Sequence, residues 1–426
     1  MSEMTKEQIK KKRSVYLVLS TATLLFLGLI YAFSMFAAPM CQAFGLDPAD
    51  IRLTFNIMMI AFCLGCLAGA KIEKALGVRG AALSSAALFV LGFGGTALFG
   101  STGIAAVYVL YGVCAGAGVG IGYNTIIATT NVWFPDKVGF SSGVLMMGFG
   151  LSSLIFGSLA VNLYNSGIDL GAIFIGIAAA GGAIAVLAGL VLRKPPANIV
   201  QIMAPEKLGA SSYDPRDEDN ALRTPLFYVY YAWAVVIIAI GLSTIGSCAS
   251  DAQLVGWDAG FATLLVGLVS TTNGLGRVLV GMIYDKTSVK TTMLVDALVA
   301  LVATGSIAGA FALQQPFLYV VGALCCGFCY GGAPVVASAF ARERFGAKNY
   351  PLNLSLINLS IVFGSALNLI IVGVMGADNR MALFAVLVVL AALAAADVLP
   401  FSKMFDKSQK VLEEKKRAHD AQTAAN

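Results

Sequence analysis

The feature that most constrains this chain is a series of long segments without a single Asp, Glu, Lys or Arg. Ser14–Leu46 is one, and Gly80–Pro135 is long enough for two membrane crossings. About 20 apolar residues in a helix cross the hydrocarbon core of a bilayer. Backbone polar groups cannot stay unpaired in lipid, so such segments must be helices or barrel strands. Barrel strands would alternate in polarity over about ten residues. These segments are apolar on every side, which predicts helices.

The composition excludes other classes of protein. Charged residues make up 12% of the chain and hydrophobic residues 58%, against about 25% and 45–50% in soluble proteins. A soluble enzyme, a disordered chain and a protein with a single membrane anchor are therefore excluded. We predict an all-α polytopic membrane protein with twelve transmembrane helices: Val15–Phe36, Leu53–Ala70, Ala81–Phe99, Ile104–Thr130, Gly139–Val161, Gly167–Leu192, Leu226–Cys248, Ala259–Tyr284, Thr291–Leu313, Phe317–Phe340, Leu352–Met375 and Met381–Leu399.

The basic residues predict the orientation. All but three of the 28 Lys and Arg residues lie on one set of alternating loops and the two tails. The exceptions are Arg52 and Arg380 on the opposite loops and Arg277 inside a span. Basic loops stay cytoplasmic, so we predict a multi-pass protein of the cell (inner) membrane with both termini in the cytoplasm. The basic excess fits an anionic lipid leaflet better than a nucleic acid.

A long polar connection, Arg193–Arg223, divides the twelve spans into two sets of six. We predict four regions: an N-terminal bundle (residues 1–192), a cytoplasmic linker (193–223), a C-terminal bundle (224–400) and a basic cytoplasmic tail (401–426). Charged pairs recur at the ends of the second and eighth spans, at Glu73-Lys74 and Asp285-Lys286. Such internal duplication is the usual architecture of transporters.

Several motifs carry a resemblance to a known family. They are the glycine-rich Ala115–Tyr123, the following Trp133–Lys137, and Leu222–Pro225 at the start of the seventh span. Together they resemble the oxalate/formate antiporter family of the major facilitator superfamily, which is related to the monocarboxylate porters. Degenerate copies of the superfamily loop motif lie at Gly69–Arg79 and Gly281–Lys290. The resemblance implies the major facilitator fold, with two pseudo-symmetric six-helix bundles.

The superfamily also implies gating contacts on the inner side of the membrane. Following its loop motif, the residues expected to make them are Glu73, Lys74, Asp285 and Lys286, together with Arg342 and Arg344.

Arg277 is the residue that most directly suggests a function. A guanidinium at hydrocarbon depth costs at least about 2.5–3.5 kcal/mol, so it needs a partner or a wet cavity. Asn273 lies one turn earlier on the same helical face. Arginine binds a carboxylate through two parallel hydrogen bonds, and the resemblance aligns Arg277 with the family's substrate-binding arginine. The alternative is a structural arginine that pairs with Asp296 or extends to the interface.

One departure from the family indicates the substrate class. The resemblance aligns Ile357 with a lysine that oxalate transporters of the family carry in the eleventh span. No Lys or Arg occurs between Lys348 and Arg380. A dianion held by one arginine would keep a buried, unpaired carboxylate, which is strongly unfavourable. We therefore predict a monocarboxylate. The neutral side chains expected to complete its site are Asn353, Ser355 or Asn358.

Aromatic residues form the second part of the predicted site. The resemblance aligns Tyr31, Tyr123, Phe149 and Tyr330 with the family's aromatic cage. Aromatic rings make an apolar lining, and tyrosine hydroxyls can orient carboxylate oxygens. The alternative role of each ring is helix packing.

These observations predict a secondary transporter of a small organic anion, working by alternating access through anion exchange or proton-coupled symport. The alternatives are a carrier of another solute, with Arg277 structural, and a membrane sensor that transports nothing.

We expect neither an enzyme nor a cofactor or metal site, because the spans contain no nucleophile–base pair or metal-binding cluster. Asp296 is either a proton acceptor or an interfacial partner of Lys290 or Lys286. The chain is expected to act as a monomer, with protons or a counter-anion as coupling partner.

Overall fold

The computed structural model of the protein describes residues 5–204, 214–376 and 379–425. Within these ranges the chain is helical and contains no strand, which confirms the all-α prediction. It forms two compact units. The N-terminal unit comprises residues 1–135, 144–204 and 354–356, and the C-terminal unit comprises residues 136–143, 205–353 and 357–426.

The first part of the chain, through residue 204, forms nine α-helices. They are α1 (Lys6–Leu27), α2 (Phe33–Phe44), α3 (Pro48–Phe99), α4 (Ile104–Val107), α5 (Gly116–Val132), α6 (Val138–Ser152), α7 (Ser158–Asn165), α8 (Leu170–Val191) and α9 (Ile199–Met203). Short 3-10 or π segments at Gly28–Ala32, Gly100–Thr102, Tyr108–Ala115 and Ser153–Gly157 continue some of them. The first residues of α6 belong to the C-terminal unit and the rest to the N-terminal unit.

The helix α3 contains a sharp bend. Gly77 has φ 72° and ψ 178°, in the region of positive φ that only glycine adopts readily. Helical residues continue on both sides of it. The bend therefore joins the second and third predicted spans.

The second part of the chain, from residue 214, forms eight α-helices. They are α10 (Pro225–Ile245), α11 (Cys248–Leu254), α12 (Ala259–Lys286), α13 (Val289–Leu313), α14 (Pro316–Phe345), α15 (Tyr350–Asn358), α16 (Ser360–Met375) and α17 (Arg380–Ala425). Pro225 and Pro316 stand in the first turns of α10 and α14, where the missing N–H costs no hydrogen bond. Two 3-10 turns, Pro215–Glu218 and Ala221–Arg223, precede α10.

Eleven helical segments of the described chain are long and apolar enough to cross a membrane. One of them, Leu53–Thr102, has 50 residues and covers two of the predicted spans on either side of Gly77. Each of the others corresponds to one predicted span. The helix count therefore agrees with the twelve spans expected from the sequence.

Glycines allow the closest helix contacts in both units. A Cβ atom on Gly120 of α5 would lie 2.1 Å from the carbonyl oxygen of Phe62 on α3. On α12, a Cβ on Gly276 would lie 2.4 Å from the carbonyl oxygen of Phe328 on α14. Small residues let membrane helices approach closely and gain packing contacts that lipid cannot replace. The glycine-rich spans are thus the places where backbones touch.

Candidate functional site

Arg277 lies in the second half of α12 and is 8% exposed. Its Nε donates a hydrogen bond to Oδ1 of Asn273, at 3.2 Å. The backbone of Arg277 is also tightly packed, because a Cβ on Gly143 of α6 would lie 2.4 Å from its carbonyl oxygen. The structure therefore brings Arg277 and Asn273 together, as their four-residue spacing predicts.

Tyr330 of α14 lies next to this pair. Its hydroxyl is within electrostatic range of Arg277. A Cβ on Gly241 of α10 would lie 2.2 Å from the Tyr330 ring, so the ring packs directly on that helix backbone. The following residue, Gly331, packs on the carbonyl oxygen of Asn273, which would lie 2.2 Å from an added Cβ. Three of the predicted site residues thus meet in the C-terminal unit.

Asn353 and Asn358 lie on α15, each 3% exposed. Their side-chain nitrogens are buried and have no hydrogen-bond partner within the described ranges. A buried N–H group without an acceptor is unfavourable, and a carboxylate oxygen would satisfy it. Within the described residues, neither asparagine side chain forms a hydrogen bond with Arg277. Ile357, between them, is fully buried.

The aromatic residues of the N-terminal unit form one cluster. The ring of Phe149 on α6 lies 5.4 Å from that of Tyr31 and 4.8 Å from that of Tyr123, both edge-on. Phe62 on α3 lies 5.4 Å from Tyr123 and 6.3 Å from Phe149. The structure thus brings together the three aromatics that the resemblance selects in this unit. Phe62 was not predicted, since nothing distinguishes it within the apolar second span.

Among the predicted gating residues, Asp285 has the best-defined contacts. Its two carboxylate oxygens accept hydrogen bonds from the backbone N–H groups of Gly139 and Phe140, each at 2.7 Å. These groups open α6, and a carboxylate stabilises a helix N-terminus through hydrogen bonds and the helix dipole. Asp285 therefore ties the end of α12 to the start of α6.

The other predicted gating residues have separate environments. Glu73, 4% exposed, pairs with Lys194 at 3.1 Å. Arg344 pairs with Asp219 of the linker at 2.6 Å. Lys74 and Lys286 are exposed, and Arg342 is buried. Their part in gating stays a prediction.

A chain of buried hydroxyl groups lies near the start of α6 and was not predicted. Ser142 bonds to Ser338 of α14 at 3.0 Å, and Ser338 bonds to Tyr350 of α15 at 2.6 Å. Isolated hydroxyl residues in apolar spans are the only sequence signal, and they do not reveal the pairing.

The comparison with known proteins decides the family. The profile of the Major Facilitator Superfamily matches residues 18–308 and 226–422. The chain belongs to this superfamily. It is therefore a multi-pass membrane protein of a superfamily of transporters.

Within the described residues, no group of three or more His, Cys, Asp or Glu side chains could hold a metal ion.

Two relatives are similar over most of their length. The oxalate:formate antiporter of Oxalobacter formigenes is 26% identical over 422 residues, which cover 96% of both chains. The MFS-type transporter YhjX of Escherichia coli is 25% identical over 370 residues, which cover 85% of this chain and 88% of YhjX. The resemblance inferred from the motifs is thereby confirmed.

Solved structures give the same fold. The proton:xylose symporter XylE matches with a TM-score of 0.74 at 14% identity, covering 91% of this chain and 95% of XylE. The Escherichia coli fucose:proton symporter FucP matches with a TM-score of 0.64 at 15% identity, covering 92% and 98%. These similarities establish the major facilitator fold.

Proposed function

We propose that the protein is a secondary transporter of a small organic monocarboxylate that works by alternating access. The observation that carries the proposal is the buried Arg277, held by the neutral side chain of Asn273 inside a membrane helix. Ionisable residues inside membrane spans are costly and usually functional. A planar guanidinium suits a carboxylate, because it can donate two parallel hydrogen bonds.

Neutral hydrogen-bond donors of the C-terminal unit favour an anionic substrate. Tyr330, beside Arg277, can contribute a hydroxyl. On α15, the buried side-chain nitrogens of Asn353 and Asn358 have no acceptor in the described chain. Such donors stabilise a carboxylate without adding further positive charge. In the N-terminal unit, the Tyr31, Tyr123 and Phe149 cluster supplies rings suited to an alkyl group.

The charge count favours a monoanion over a dianion. The span that contains α15 and α16 has no Lys or Arg, and its central Ile357 is buried. The second carboxylate of oxalate would therefore lack the cation that the resemblance places there. The relative named as an oxalate:formate antiporter supports small carboxylates as the class, and the missing lysine narrows the class to monocarboxylates.

The proposal also covers the location, oligomeric state, gating residues and coupling of the protein. We place the protein in the cell (inner) membrane as a monomer with both termini cytoplasmic. Asp285 and Glu73, with Lys74 and Lys286, serve as gating residues. Transport is coupled either to a counter-anion or to protons.

The test is uptake of labelled formate, acetate, lactate and oxalate into proteoliposomes. Removing one partner of a buried, hydrogen-bonded charge pair costs about 2–5 kcal/mol. We therefore expect Arg277→Ala to reduce monocarboxylate uptake at least about 30-fold. Arg277→Lys should retain part of the uptake, since it keeps the charge but loses the planar fork.

The matched control is Arg417→Ala, which removes an exposed arginine of α17 and should leave uptake unchanged. Undiminished monocarboxylate uptake by Arg277→Ala would assign Arg277 a structural role and favour another solute. A folded wild-type protein that binds a carboxylate without moving it would instead favour a sensor.

A further inference from the structure

Asp296 is a buried acid that the proposed binding site does not use. It is the eighth residue of α13, so it lies about 10 Å from the start of that helix. It is completely buried, and both of its carboxylate oxygens lack a hydrogen-bond partner in the described chain. It therefore pairs neither with Arg277 nor with the basic residues near the start of α13. Lys290 pairs instead with Asp406 at 2.7 Å.

The groups around Asp296 come from several helices. From α10, the hydroxyl of Tyr230 lies within electrostatic range and is itself buried without a partner in the described ranges. From α14, the thiols of Cys326 and Cys329 lie within that range. The helices packed on α13 carry further titratable and charged groups. They are Tyr228 and Tyr231 on α10, Arg277, Tyr284, Asp285 and Lys286 on α12, Tyr319, Cys325, Tyr330, Arg342, Glu343 and Arg344 on α14, and Arg380, Asp397 and the charged residues from Lys403 onward on α17. Of these, Tyr284 donates a hydrogen bond to Glu343, and Arg380 pairs with Asp251.

Within the described residues, no cation pairs with Asp296 to compensate a negative charge on it. An ionised carboxylate removed from water without a partner is strongly unfavourable, and such a group takes up a proton instead. The neutral acid is the form that this packing accommodates. Ionisation would require water to enter or the helices to separate.

The backbone of α14 connects Asp296 to the proposed site. A Cβ on Gly332 would lie 2.9 Å from Oδ1 of Asp296 and 2.8 Å from Val280 of α12. The preceding glycine, Gly331, contacts the carbonyl oxygen of Asn273, the residue that holds Arg277. A movement of α14 away from Asp296 would therefore also disturb the contact between Gly331 and Asn273.

We propose that Asp296 is a proton-binding site that links the packing of α12 and α14 around Arg277 to pH. Protonation keeps the two helices together and Asn273 in place beside Arg277. Release of the proton loosens this contact. The inference rests on the proposed function, because it assigns Arg277 to the anion and Asp296 to the proton that regulates its site.

The first test does not depend on transport. Infrared difference spectra of the purified full-length protein, recorded across a pH titration that starts well above the ordinary carboxyl pKa of about 4, should contain the carbonyl band of a protonated carboxylic acid that disappears as the pH rises. Asp296→Asn should abolish this band. The matched control, Asp397→Asn, removes the half-buried acid of α17 and should retain it. A band that persists in Asp296→Asn would overturn the proposal.

The second test measures formate-for-formate exchange in proteoliposomes with the same pH inside and outside. We expect exchange by the wild type to fall as the pH rises, and exchange by Asp296→Asn to lose this dependence. Asp397→Asn should keep the wild-type profile. Asp296→Glu, which retains an acid, should shift the profile and serves if the Asn variant does not fold. A wild-type profile in either Asp296 variant would overturn the proposal.

The two proposals fail in different ways. If Arg277 does not bind carboxylates, the infrared band still tests Asp296. If Asp296 binds no proton, the loss of uptake in Arg277→Ala is unaffected.

Discussion

The two units of the protein differ in what they bury. In the part of the chain that the structure describes, the charged side chains that are buried are Glu73, Asp251, Arg277, Asp296, Arg342 and Arg344. Only Glu73 belongs to the N-terminal unit. That unit instead contains the cluster of Phe62, Tyr123, Tyr31 and Phe149. Aromatic rings also pack against one another in the C-terminal unit, as Tyr230 and Phe340 do, so the difference between the units lies in their buried charges.

Under the proposed function, the difference predicts that substitutions in the two units affect transport for different physical reasons. Apolar contacts depend on shape and are weakly selective, since one methylene contributes about 1–3 kcal/mol of discrimination. A buried guanidinium discriminates strongly between charged and neutral solutes, because a buried positive charge without a negative partner is energetically costly. We therefore expect substitutions in the N-terminal unit to act through packing, and substitutions in the C-terminal unit to act through charge.

A large effect within the N-terminal unit is expected from Gly120→Ala. The new Cβ would lie 2.1 Å from the carbonyl oxygen of Phe62, which is backbone and cannot rotate away. Overpacking of this kind costs about 3 kcal/mol, and separation of α3 from α5 would displace the Phe62 ring from its aromatic neighbours. We expect a clearly lower Tm in detergent, measured by thermal unfolding.

The matched control for this substitution is Gly176→Ala on α8. A Cβ there meets no atom within 4 Å, and alanine raises helix propensity by up to about 1 kcal/mol. Its Tm should stay constant or rise. Equal Tm values for the two alanine variants would contradict the view that backbone contact between α3 and α5 shapes the aromatic cluster.

The sequence predicted the helices better than their contacts. Charge-free segments suffice to place the spans, because lipid imposes helix on any apolar stretch of that length. The break between the second and third spans was predicted, but the helical continuation around Gly77 was not. Propensity and hydropathy do not reveal that a single glycine with φ 72° makes the bend.

The candidate site was predictable to the extent that its contacts are local. Asn273 and Arg277 are four residues apart, so the helix alone brings them together. The burial of Asp296 was not predictable, since it depends on Gly332 and Tyr230 from other helices. Lys290, its expected neighbour, pairs with Asp406, which is 116 residues away. Contacts of this range leave no periodic signal in a single sequence.

An intermediate effect, specific to the C-terminal unit, is expected from Ile357→Lys. The substitution restores the cation that the oxalate transporter's family carries in the eleventh span, and this cation can pair with a second carboxylate. We expect the ratio of oxalate to formate uptake to rise roughly tenfold, equivalent to about 1.4 kcal/mol. A ratio measured on one protein sample does not depend on its expression level.

Ile357→Met is the matched control, because it keeps the side chain apolar at this buried position. Its oxalate-to-formate ratio should equal that of the wild type. If Ile357→Lys took up formate normally and its ratio did not change, the missing lysine would not be what determines the substrate class.

The smallest effect should come from the linker, where a charged pair stabilises the folded state. Arg216 donates hydrogen bonds to Asp214 through Nε and a terminal nitrogen, each at 2.8 Å, and to the carbonyl oxygen of Glu343 at 3.0 Å. Burial raises the pKa of the Asp214 carboxyl, but the hydrogen bonds and charge of Arg216 outweigh burial and hold this pKa below its ordinary value. The pair therefore fixes the linker to the last turn of α14.

A lowered pKa in the folded state means that the ionised carboxylate stabilises the fold. This contribution is present above the unfolded pKa of about 3.9 and is lost as the pH falls through the folded value. We expect Asp214→Asn to lower the free energy of unfolding by about 1 kcal/mol at pH 7. In thermal unfolding from pH 7 to 3, its Tm should approach that of the wild type below about pH 4.

The control is Glu413→Gln, at an exposed position of α17, and its Tm should follow that of the wild type at every pH. A Tm difference that stays constant across this range would mean that Asp214 acts through packing rather than charge, and that charge does not stabilise this part of the C-terminal unit.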